Sequence, residues 1–436
     1  MQDRQNTVSL FPILLVNFIG TLGFSIVLPF LVTLVNRMGG NALVYGAMGA
    51  TYSAFQLVGA PVLGRWSDVY GRRKVLLLSQ LGTTVSWVVF LIALFLPARA
   101  VLDVDAALTG AFVLTLPLSI LFLARALDGL TGGNVSVANA YLADVTDEKD
   151  RKTNYGKMAV AGNLGFILGP TLAGVFGATR YGEILPVLAA LAISVVASTV
   201  IALYLPESRR CVLTERPAGE TVRKVFGQEL KDCYTLDGGG RVGFEEILAL
   251  PRVPFLLFLY FFIFLGFNVF YTAFPVHAVQ GLRWTITEVG VFFSFLGITT
   301  VLVQGPLLGR LAAKFSDIAL TISGAAILGT AFLFFMRPER SLLYAGAALF
   351  SLGNGLMWPS FLALLANVAG DRFQGAVQGF GASVGSFASI VGLIGGGILY
   401  EALGRWTFVG SAALLYGVTG LALVYSRRAS RSDRKT

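Results

Sequence analysis

Runs of about twenty apolar residues recur along the whole chain, and they restrict the possible fold more than any other feature of the sequence. A helix of about 20 apolar residues is long enough to cross the hydrocarbon core of a bilayer. Of the 436 residues, 55% are hydrophobic and only 13% are charged, which is more apolar surface than a soluble domain needs. We therefore predict an all-α membrane protein with twelve transmembrane helices. The predicted spans are residues 10–34, 45–66, 74–96, 116–143, 157–176, 185–205, 255–276, 288–311, 318–336, 342–365, 377–400 and 407–425.

Lysine and arginine are distributed unevenly over the loops between these spans. Of the 33, twenty-five lie on one set of alternate loops and at the termini, seven lie on the other set, and Arg125 lies inside a span. Because positive residues accumulate in cytoplasmic loops, we expect both termini in the cytoplasm and a multi-pass protein of the cell (inner) membrane. The net charge of +9 then reflects membrane topology and not a surface for nucleic acid. The basic C-terminal tail can contact anionic lipid.

One long hydrophilic segment, residues 206–251, separates two sets of six predicted spans. We predict an N-terminal six-helix bundle over residues 1–205 and a C-terminal six-helix bundle over residues 252–436. The segment between them is predicted to be a cytoplasmic linker with a short amphipathic helix near residues 222–230.

The two halves contain an internal repeat. The sequence APVLGRWSDVYG at positions 60–71 recurs as GPLLGRLAAKFS at positions 305–316. Transporters built from parallel repeats bind their substrate at the repeat interface, near the middle of the membrane. The second copy lacks the charges of the first, since Ala313 stands in the position of Asp68. We therefore expect any ionic switch to lie mainly in the first half.

A charged stretch joins the second and third predicted spans. It begins after Gly64 and contains Asp68, Gly71, Arg72 and Arg73. Glycine permits a tight reversal and a close approach of the backbone, so we expect a short turn here. Asp68 and Arg72 are four residues apart and would be in contact on a continuing helix.

The fourth span carries two ionisable residues, Arg125 and Asp128. An ionised side chain inside a membrane is costly and indicates a functional site by default. The spacing of three residues places both on one helical face, where they can neutralise each other. Two interpretations remain open: a structural ion pair that fixes the rotation of the helix, or a proton-coupling site whose protonation changes with its surroundings.

The fifth span contains small residues at a spacing of four, namely Gly165, Gly169 and Ala173, and Gly174 follows directly. Such faces let two helices pack backbone to backbone. Pro170 removes one helical hydrogen bond and permits a bend. Helix packing alone explains the spacing, but the order GxxxGPxxxG also resembles the motif of the antiporter branch of the major facilitator superfamily.

Polar side chains recur inside spans of both halves. Each can be an interhelical hydrogen bond, yet their spread over both halves predicts that some line a substrate cavity. The candidate cavity residues are Asn17, Thr21, Gln56, Asn268, Tyr271, Gln304, Asn354 and Trp358.

Three further features complete the sequence reading. The single histidine, His277, lies near the outer end of the seventh span and is expected at the surface, with a proton relay as the alternative. Residues 98–115 exceed what two spans and a tight loop require and predict an additional external segment. The sequence shows no cluster of metal ligands, catalytic triad or phosphate loop, so we expect no metal, no cofactor and no enzymatic activity.

Over nearly its whole length the chain resembles the twelve-span drug/proton antiporters of the major facilitator superfamily, in particular the tetracycline-resistance efflux pumps. The residues that carry this resemblance are Tyr52, Gln56, 60–64, Ser67, Asp68, 71–73, Arg125, Gly129, Thr131, Gly132, 140–146, Gly169, Pro170, 205–208 and 374–379. The resemblance implies the major facilitator fold and a charge relay of Asp68, Arg72 and Asp144. It also implies that the charged turn closes as a conformational latch against the start of span eleven, near Gln374 and Gly375.

The chain departs from the tetracycline pumps at three acidic positions. It has Gly20 and Ser86 where those pumps carry acids in spans one and three, and the acid of span nine is also missing. Those acids serve a cationic complex of metal and drug, so tetracycline is doubtful as a substrate. Asp128 remains the candidate for proton coupling, and a neutral or anionic substrate beside Arg125 is expected.

We therefore predict a secondary active transporter that exports a small amphipathic organic compound, driven by protons and working by alternating access. Its partners are the small-molecule substrate, protons and the lipid bilayer, and a monomer is expected. Two alternatives remain. A facilitator or symporter for a metabolite would share the fold and the latch, whereas a non-transporting membrane sensor or scaffold would not need Arg125 with Asp128.

Overall fold

A computed structural model describes residues 10–106, 109–132, 134–146, 148–208 and 244–432. Within them the chain is helical except for its connections and one β-hairpin, as predicted for an all-α membrane protein. Most of the predicted linker, with its expected helix near residues 222–230, lies outside the described residues.

Eight helices make up the N-terminal half. They are α1 (Phe11–Ser25), α2 (Leu28–Arg37), α3 (Ala42–Tyr70), α4 (Arg72–Phe95), α5 (Leu116–Thr131), α6 (Asn134–Asp144), α7 (Glu148–Gly177) and α8 (Ile184–Tyr204). Between α4 and α5 lie strands β1 (Ala100–Ala106) and β2 (Gly110–Thr115).

The C-terminal half begins with a short helix and continues with longer ones. Its helices are α9 (Phe244–Ala249), α10 (Val253–Val276), α11 (Ile286–Leu302), α12 (Leu308–Ala312), α13 (Asp317–Phe334), α14 (Arg340–Leu403) and α15 (Thr407–Ser432). Two π-helical turns, His277–Gly281 and Val303–Leu307, follow α10 and α11.

Helices occupy each of the twelve predicted spans, with breaks inside the first and the fourth. By length and composition, nine helical segments of the described chain are long and apolar enough to cross a membrane. The first span divides at Ile26 and Val27, between α1 and α2. Pro29 lies in the first turn of α2, and because proline has no N–H it cannot donate a helical hydrogen bond to the preceding turn. The fourth divides after Thr131, where Gly132 ends α5.

The prediction that the turn begins directly after Gly64 is wrong. Helix α3 continues through Gly64 to Tyr70, because nothing between those two residues interrupts helical hydrogen bonding. The reversal takes place at a single residue, Gly71, whose φ of 99° lies in the region that favours glycine. The charged residues before Gly71 therefore extend the helix of span two.

Helix α14 has 64 residues but does not run straight. A straight helix between positions 365 and 381 would be about 24 Å long. Instead, a Cβ on Gly381 would lie 3.5 Å from the Leu365 side chain, so the chain turns back between them. The two arms of α14 correspond to the tenth and eleventh predicted spans.

The two halves meet at one end of the molecule. There the backbone of α3 at Gly46 touches Leu393 of α14, and Gly174 of α7 packs against Gly290 of α11. At the opposite end, a Cβ added at Gly64 or Gly305 would find no atom within 4 Å. We call the first the closed end and the second the open end.

The additional segment between spans three and four forms the antiparallel hairpin β1–β2 at the closed end. Three hydrogen bonds fix it to the link between α2 and α3. Val113 N donates to Gly39 O at 2.8 Å, Thr115 Oγ1 to Met38 O at 2.9 Å, and Asn41 Nδ2 to Thr109 O at 2.8 Å. The hairpin therefore belongs to the N-terminal half.

Candidate functional site: a central cavity between the two halves

A cavity of about 570 Å³ lies between the two halves, lined by helices of both. Nine of its thirty lining residues are aromatic, and such rings offer large apolar contact areas to a ligand. The rings come from Phe24, Tyr45, Tyr52, Trp87, Phe166, Phe264, Phe267, Tyr271 and Trp358. A cavity of this size and composition suits a small, mainly apolar organic molecule.

Arg125 and Asp128 lie in the wall of this cavity. Arg125 Nη1 is 3.2 Å from Asp128 Oδ2, as the sequence spacing predicts, and the side chains are 7% and 13% exposed. The Arg125 guanidinium also lies over the Tyr52 ring, 4.7 Å from its centroid. Removing one partner of such a buried pair costs about 3–5 kcal/mol, because it leaves the other charge uncompensated.

Polar groups around the break in span four hold this pair in place. Gln56 Nε2 donates to both Tyr52 Oη and Gly132 O, at 3.1 Å each, and so ties α3 to the end of α5. Gly129 packs so closely on the Tyr52 carbonyl that any Cβ there would overlap it. This close approach sets the distance between α3 and α5, the helices that carry Tyr52 and Arg125.

Six of the eight candidate cavity residues line the cavity: Thr21, Gln56, Asn268, Tyr271, Asn354 and Trp358. Asn17 and Gln304 are not among the lining residues. Asn17 Nδ2 donates to Met158 O at 2.8 Å and so joins α1 to α7. Gln304 lies in the π-helical turn after α11, beside Gly355. The roles of all eight in substrate binding stay predictions.

The sequence reading missed polar lining residues that now stand out. Gln80 Nε2 of α4 donates to Ser194 Oγ of α8 at 2.8 Å, and Thr84 Oγ1 is also 2.8 Å from Ser194 Oγ. Thr83 lines the cavity with Asp128. The signal was present as the polar run from Ser79 to Thr84, but the facing residue on α8 could be found only from the fold.

The small face of span five packs against α1. Any Cβ on Gly165 would overlap Phe18 O, and one on Gly169 would overlap the Ser25 hydroxyl. Ser25 Oγ donates to Gly165 O at 3.1 Å, which closes the seam further. Close packing, the simpler interpretation of GxxxG, is therefore present, and the antiporter role of Gly165, Gly169, Pro170 and Gly174 stays a prediction.

The end of span five packs against the C-terminal half. Thr287 Oγ1 donates to Gly174 O at 2.9 Å, and a Cβ on Gly290 would lie 2.6 Å from Pro170 O. Thr171 and Ser294 share a hydrogen bond of 2.8 Å nearby. One helix thus has small residues both at a seam within its half and at the contact between halves.

The charged residues of the expected latch form a network at the open end. Arg72 Nε is 3.0 Å from Asp144 Oδ2, Arg72 Nη1 donates to Ser67 Oγ at 2.6 Å, and Ser208 Oγ donates to Asp144 Oδ2 at 3.0 Å. The arginine and aspartate side chains are 9% and 10% exposed. The side chains of Asp68, Gln374 and Gly375 lie outside the described part of the structure, so their expected contacts stay predictions.

Glu207 also belongs to this network, although the sequence analysis included it only within residues 205–208, which carry the family resemblance. Its Oε1 accepts from Arg73 N at 3.1 Å, and a Cβ on Gly71 would lie 2.5 Å from its Oε2. Arg73 in turn donates to the carbonyls of Ile201 and Ala202 at the end of α8. Spans two, three and six are therefore joined at one corner.

The expectation that His277 lies at the surface is wrong. His277 is 7% exposed, and its Nδ1 is 3.1 Å from Tyr400 Oη. The π-helical turn that it begins carries the chain back over the end of α14, which buries the ring beside Phe408. Outer ends of spans are not always exposed, because connections can pack over them.

The sequence matches the model of the Major Facilitator Superfamily over residues 13–339 and again over residues 256–436. The chain belongs to the Major Facilitator Superfamily. It is a membrane transporter and not an enzyme.

Relatives in sequence include two kinds of resistance protein. The tetracycline resistance protein, class G, of Vibrio anguillarum is 27% identical over 399 residues, which cover 90% of this chain and 91% of the relative. Multidrug resistance protein 2 of Bacillus subtilis (strain 168) is 25% identical over 432 residues, or 98% and 97% of the two chains. The resemblance to tetracycline-resistance efflux pumps is thereby confirmed.

Solved structures share the fold. The D-xylose–proton symporter matches with a TM-score of 0.72 at 16% identity and covers 95% of this chain and 97% of its own. The human organic anion transporter MFSD10 (TETRAN) matches with a TM-score of 0.65 at 21% identity, over 97% and 100% of the two chains. These matches bear on the architecture and not on the substrate.

Proposed function

We propose that this transporter exports small amphipathic organic compounds across the cell (inner) membrane in exchange for protons, by alternating access. The observation that carries the proposal is the central cavity: aromatic rings line it from both halves, and the ion pair of Arg125 and Asp128 lies in its wall. The tetracycline and multidrug resistance proteins among the relatives support the export of organic compounds.

The orientation of the molecule in the membrane is part of this proposal. The excess of lysine and arginine on one set of loops supports cytoplasmic termini and a cytoplasmic linker. The closed end, which carries the hairpin and the seven basic residues of the other loops, then faces outward. The latch network and the open end face the cytoplasm, so this structure would be the inward-facing state of a monomeric transporter.

In an exchanger, the cavity must not hold the substrate and the proton at the same time. Among the cavity-lining residues, Asp128 is the carboxylate that can bind a proton. In the proposed cycle the substrate binds while Asp128 is ionised and paired with Arg125, and a proton on Asp128 weakens that site. Lower pH should therefore weaken substrate binding, by up to about tenfold per pH unit.

The same ion pair supports a second candidate function, proton symport of an organic anion. A bound anion would take the Arg125 guanidinium from Asp128, and a proton on Asp128 would free the guanidinium for the anion. Proton and anion would then favour each other, so both would move in the same direction. The sign of the pH effect on binding separates exchange from symport, whatever the compound.

The test uses the purified protein in liposomes with an imposed pH gradient and a panel of cationic, neutral and anionic amphipathic dyes. We expect at least one dye to accumulate against its gradient while protons flow the other way, and its affinity to fall at lower pH. Collapse of the gradient with a protonophore and empty liposomes are the controls. Dye that follows the protons, with affinity rising at lower pH, would instead establish symport.

A further inference from the structure

The closed end contains one charged contact between the two halves in the described part of the chain. Ala42 N, at the first position of α3, donates to Glu401 Oε1 of α14 at 2.7 Å. The first four N–H groups of a helix have no partner within it, and the N-terminus favours a negative charge. A carboxylate of the C-terminal half therefore caps a helix of the N-terminal half.

The position of Glu401 in its own helix is electrostatically unfavourable. α14 ends at Leu403, so Glu401 lies in the last turn, where the helix dipole disfavours a negative charge. Its own helix therefore does not explain the carboxylate. The favourable partner is the N-terminus of α3, which is available only while the halves are in contact at this end.

The hairpin completes the surroundings of this carboxylate. Gly110, the first residue of β2, has a φ of 68°, and a Cβ there would lie 3.0 Å from Glu401 Oε2. Asn41 caps α3 through its Oδ1, which accepts from Val44 N at 3.1 Å, and its Nδ2 holds Thr109 of the hairpin. The hairpin thus lies against one side of the contact, and Glu401 is partly buried there. Partial removal from water strengthens the attraction between the carboxylate and the helix N-terminus.

We propose that Glu401 is a clasp that holds the two halves together at the closed end, and that the β1–β2 hairpin forms its seat on the N-terminal half. A neutral hydrogen bond from Gln280 Nε2 to Asn36 Oδ1, at 3.0 Å, also joins the halves at this end. Tyr400, next to Glu401, bonds to His277 and fixes this end of α14 within its own half. Opening of the closed end then requires release of Glu401 from α3. The strength of this contact therefore sets the population of the state in which the closed end is open.

The clasp can be tested by chemical labelling without any substrate, so its outcome is independent of the proposed export. Ser53, which lines the cavity, is replaced by cysteine in a background where Cys211 and Cys233 are serine. A membrane-impermeant maleimide is applied from the side that carries the hairpin. Its reaction rate reports how often the closed end opens.

Two variants remove the clasp from opposite sides. Glu401→Gln keeps an acceptor oxygen but loses the charge, and we expect labelling about tenfold faster, the usual gain of a charged over a neutral hydrogen bond. Ala42→Pro removes the donor, and proline is well tolerated at the first position of a helix. The double variant should label no faster than Ala42→Pro alone. Glu339→Gln, an exposed acid at the same end, is the matched control and should leave the rate unchanged.

The role of the hairpin is tested separately. Leu116 N donates to Arg99 O at 2.8 Å, so the ends of the hairpin are adjacent and two glycines can replace residues 101–114. This deletion should also speed labelling, and Glu401→Gln should add less in this background than in the intact protein. Wild-type labelling rates in Glu401→Gln and Ala42→Pro would overturn the proposal. So would faster labelling from both sides of the membrane, which indicates general loosening and not a shift between states.

Discussion

Replacing Asp128 by asparagine should separate proton coupling from substrate binding in this transporter. Asparagine has nearly the same shape and keeps an acceptor oxygen for Arg125 Nη1, which lies 3.2 Å from Asp128 Oδ2. It cannot bind and release a proton near neutral pH. The variant should therefore bind substrate with the weaker affinity of the protonated site, whatever the pH, and still exchange it downhill. The unpaired Arg125 charge lowers its stability by a few kcal/mol.

The size of the effect follows from the number of carboxylates in the cavity. With Asp128 as the single carboxylate among the described lining residues, one proton moves per cycle. One pH unit then supplies about 1.4 kcal/mol, which sustains at most about a tenfold concentration ratio of a neutral substrate. In Asp128→Asn this ratio should fall to about one at any imposed gradient.

The assay compares uptake of a neutral dye into inside-out vesicles with and without a gradient of one pH unit. Asp103→Asn, an exposed acid on the hairpin, is the matched control and should keep the tenfold ratio. Arg125→Ala should impair both binding and transport, because it also leaves Asp128 as an unpaired buried acid. Full accumulation by Asp128→Asn would show that the proton is carried elsewhere and that Arg125 and Asp128 form only a structural pair.

Three further changes test the packing and the open-end network. Gly169→Leu should lower the thermal stability, because overpacking the seam with α1 costs about 1–3 kcal/mol. Gly156→Leu on the same helix faces open space and should leave thermal unfolding unchanged. Gly71→Ala should lower thermal stability, since a φ of 99° is strained for alanine and its Cβ would meet Glu207. Asp144→Asn should leave the protein folded but slow turnover severalfold, measured as dye flux, and an unchanged rate would argue against a latch.

Local patterns in the sequence predicted the features that depend only on residues close together on one helix. The lengths of the apolar runs located the spans, and the spacing of Arg125 and Asp128 predicted their contact. Glycine spacing in span five predicted a tight seam, and the contact of Gly165 with Phe18 provides it. These features rest on helical geometry, which repeats every 3.6 residues whatever the tertiary structure.

Features that depend on distant parts of the chain could not be predicted in this way. The cavity face of α4 includes Gln80, whose partner Ser194 is more than a hundred positions away. The burial of His277 results from a π-helical turn that packs over α14. Strand β1 contains alternating apolar and acidic residues from Leu102 to Asp105, which is a strand pattern. The position of the hairpin beside Glu401 depends on the fold.

The distribution of ion pairs bears on how the two states interconvert. Each ion pair whose two side chains the structure describes joins residues of the same half, as Arg72 does with Asp144 and Arg340 with Glu288. Movement of the halves as rigid bodies therefore leaves these pairs intact and avoids the cost of separating buried charges. Opening of the closed end instead separates small-residue seams and breaks neutral hydrogen bonds such as that of Gln280 with Asn36. It also parts the carboxylate of Glu401 from the N-terminus of α3. States of an alternating-access protein differ by only a few kcal/mol, so one charge at the helix N-terminus is large enough to decide which state prevails.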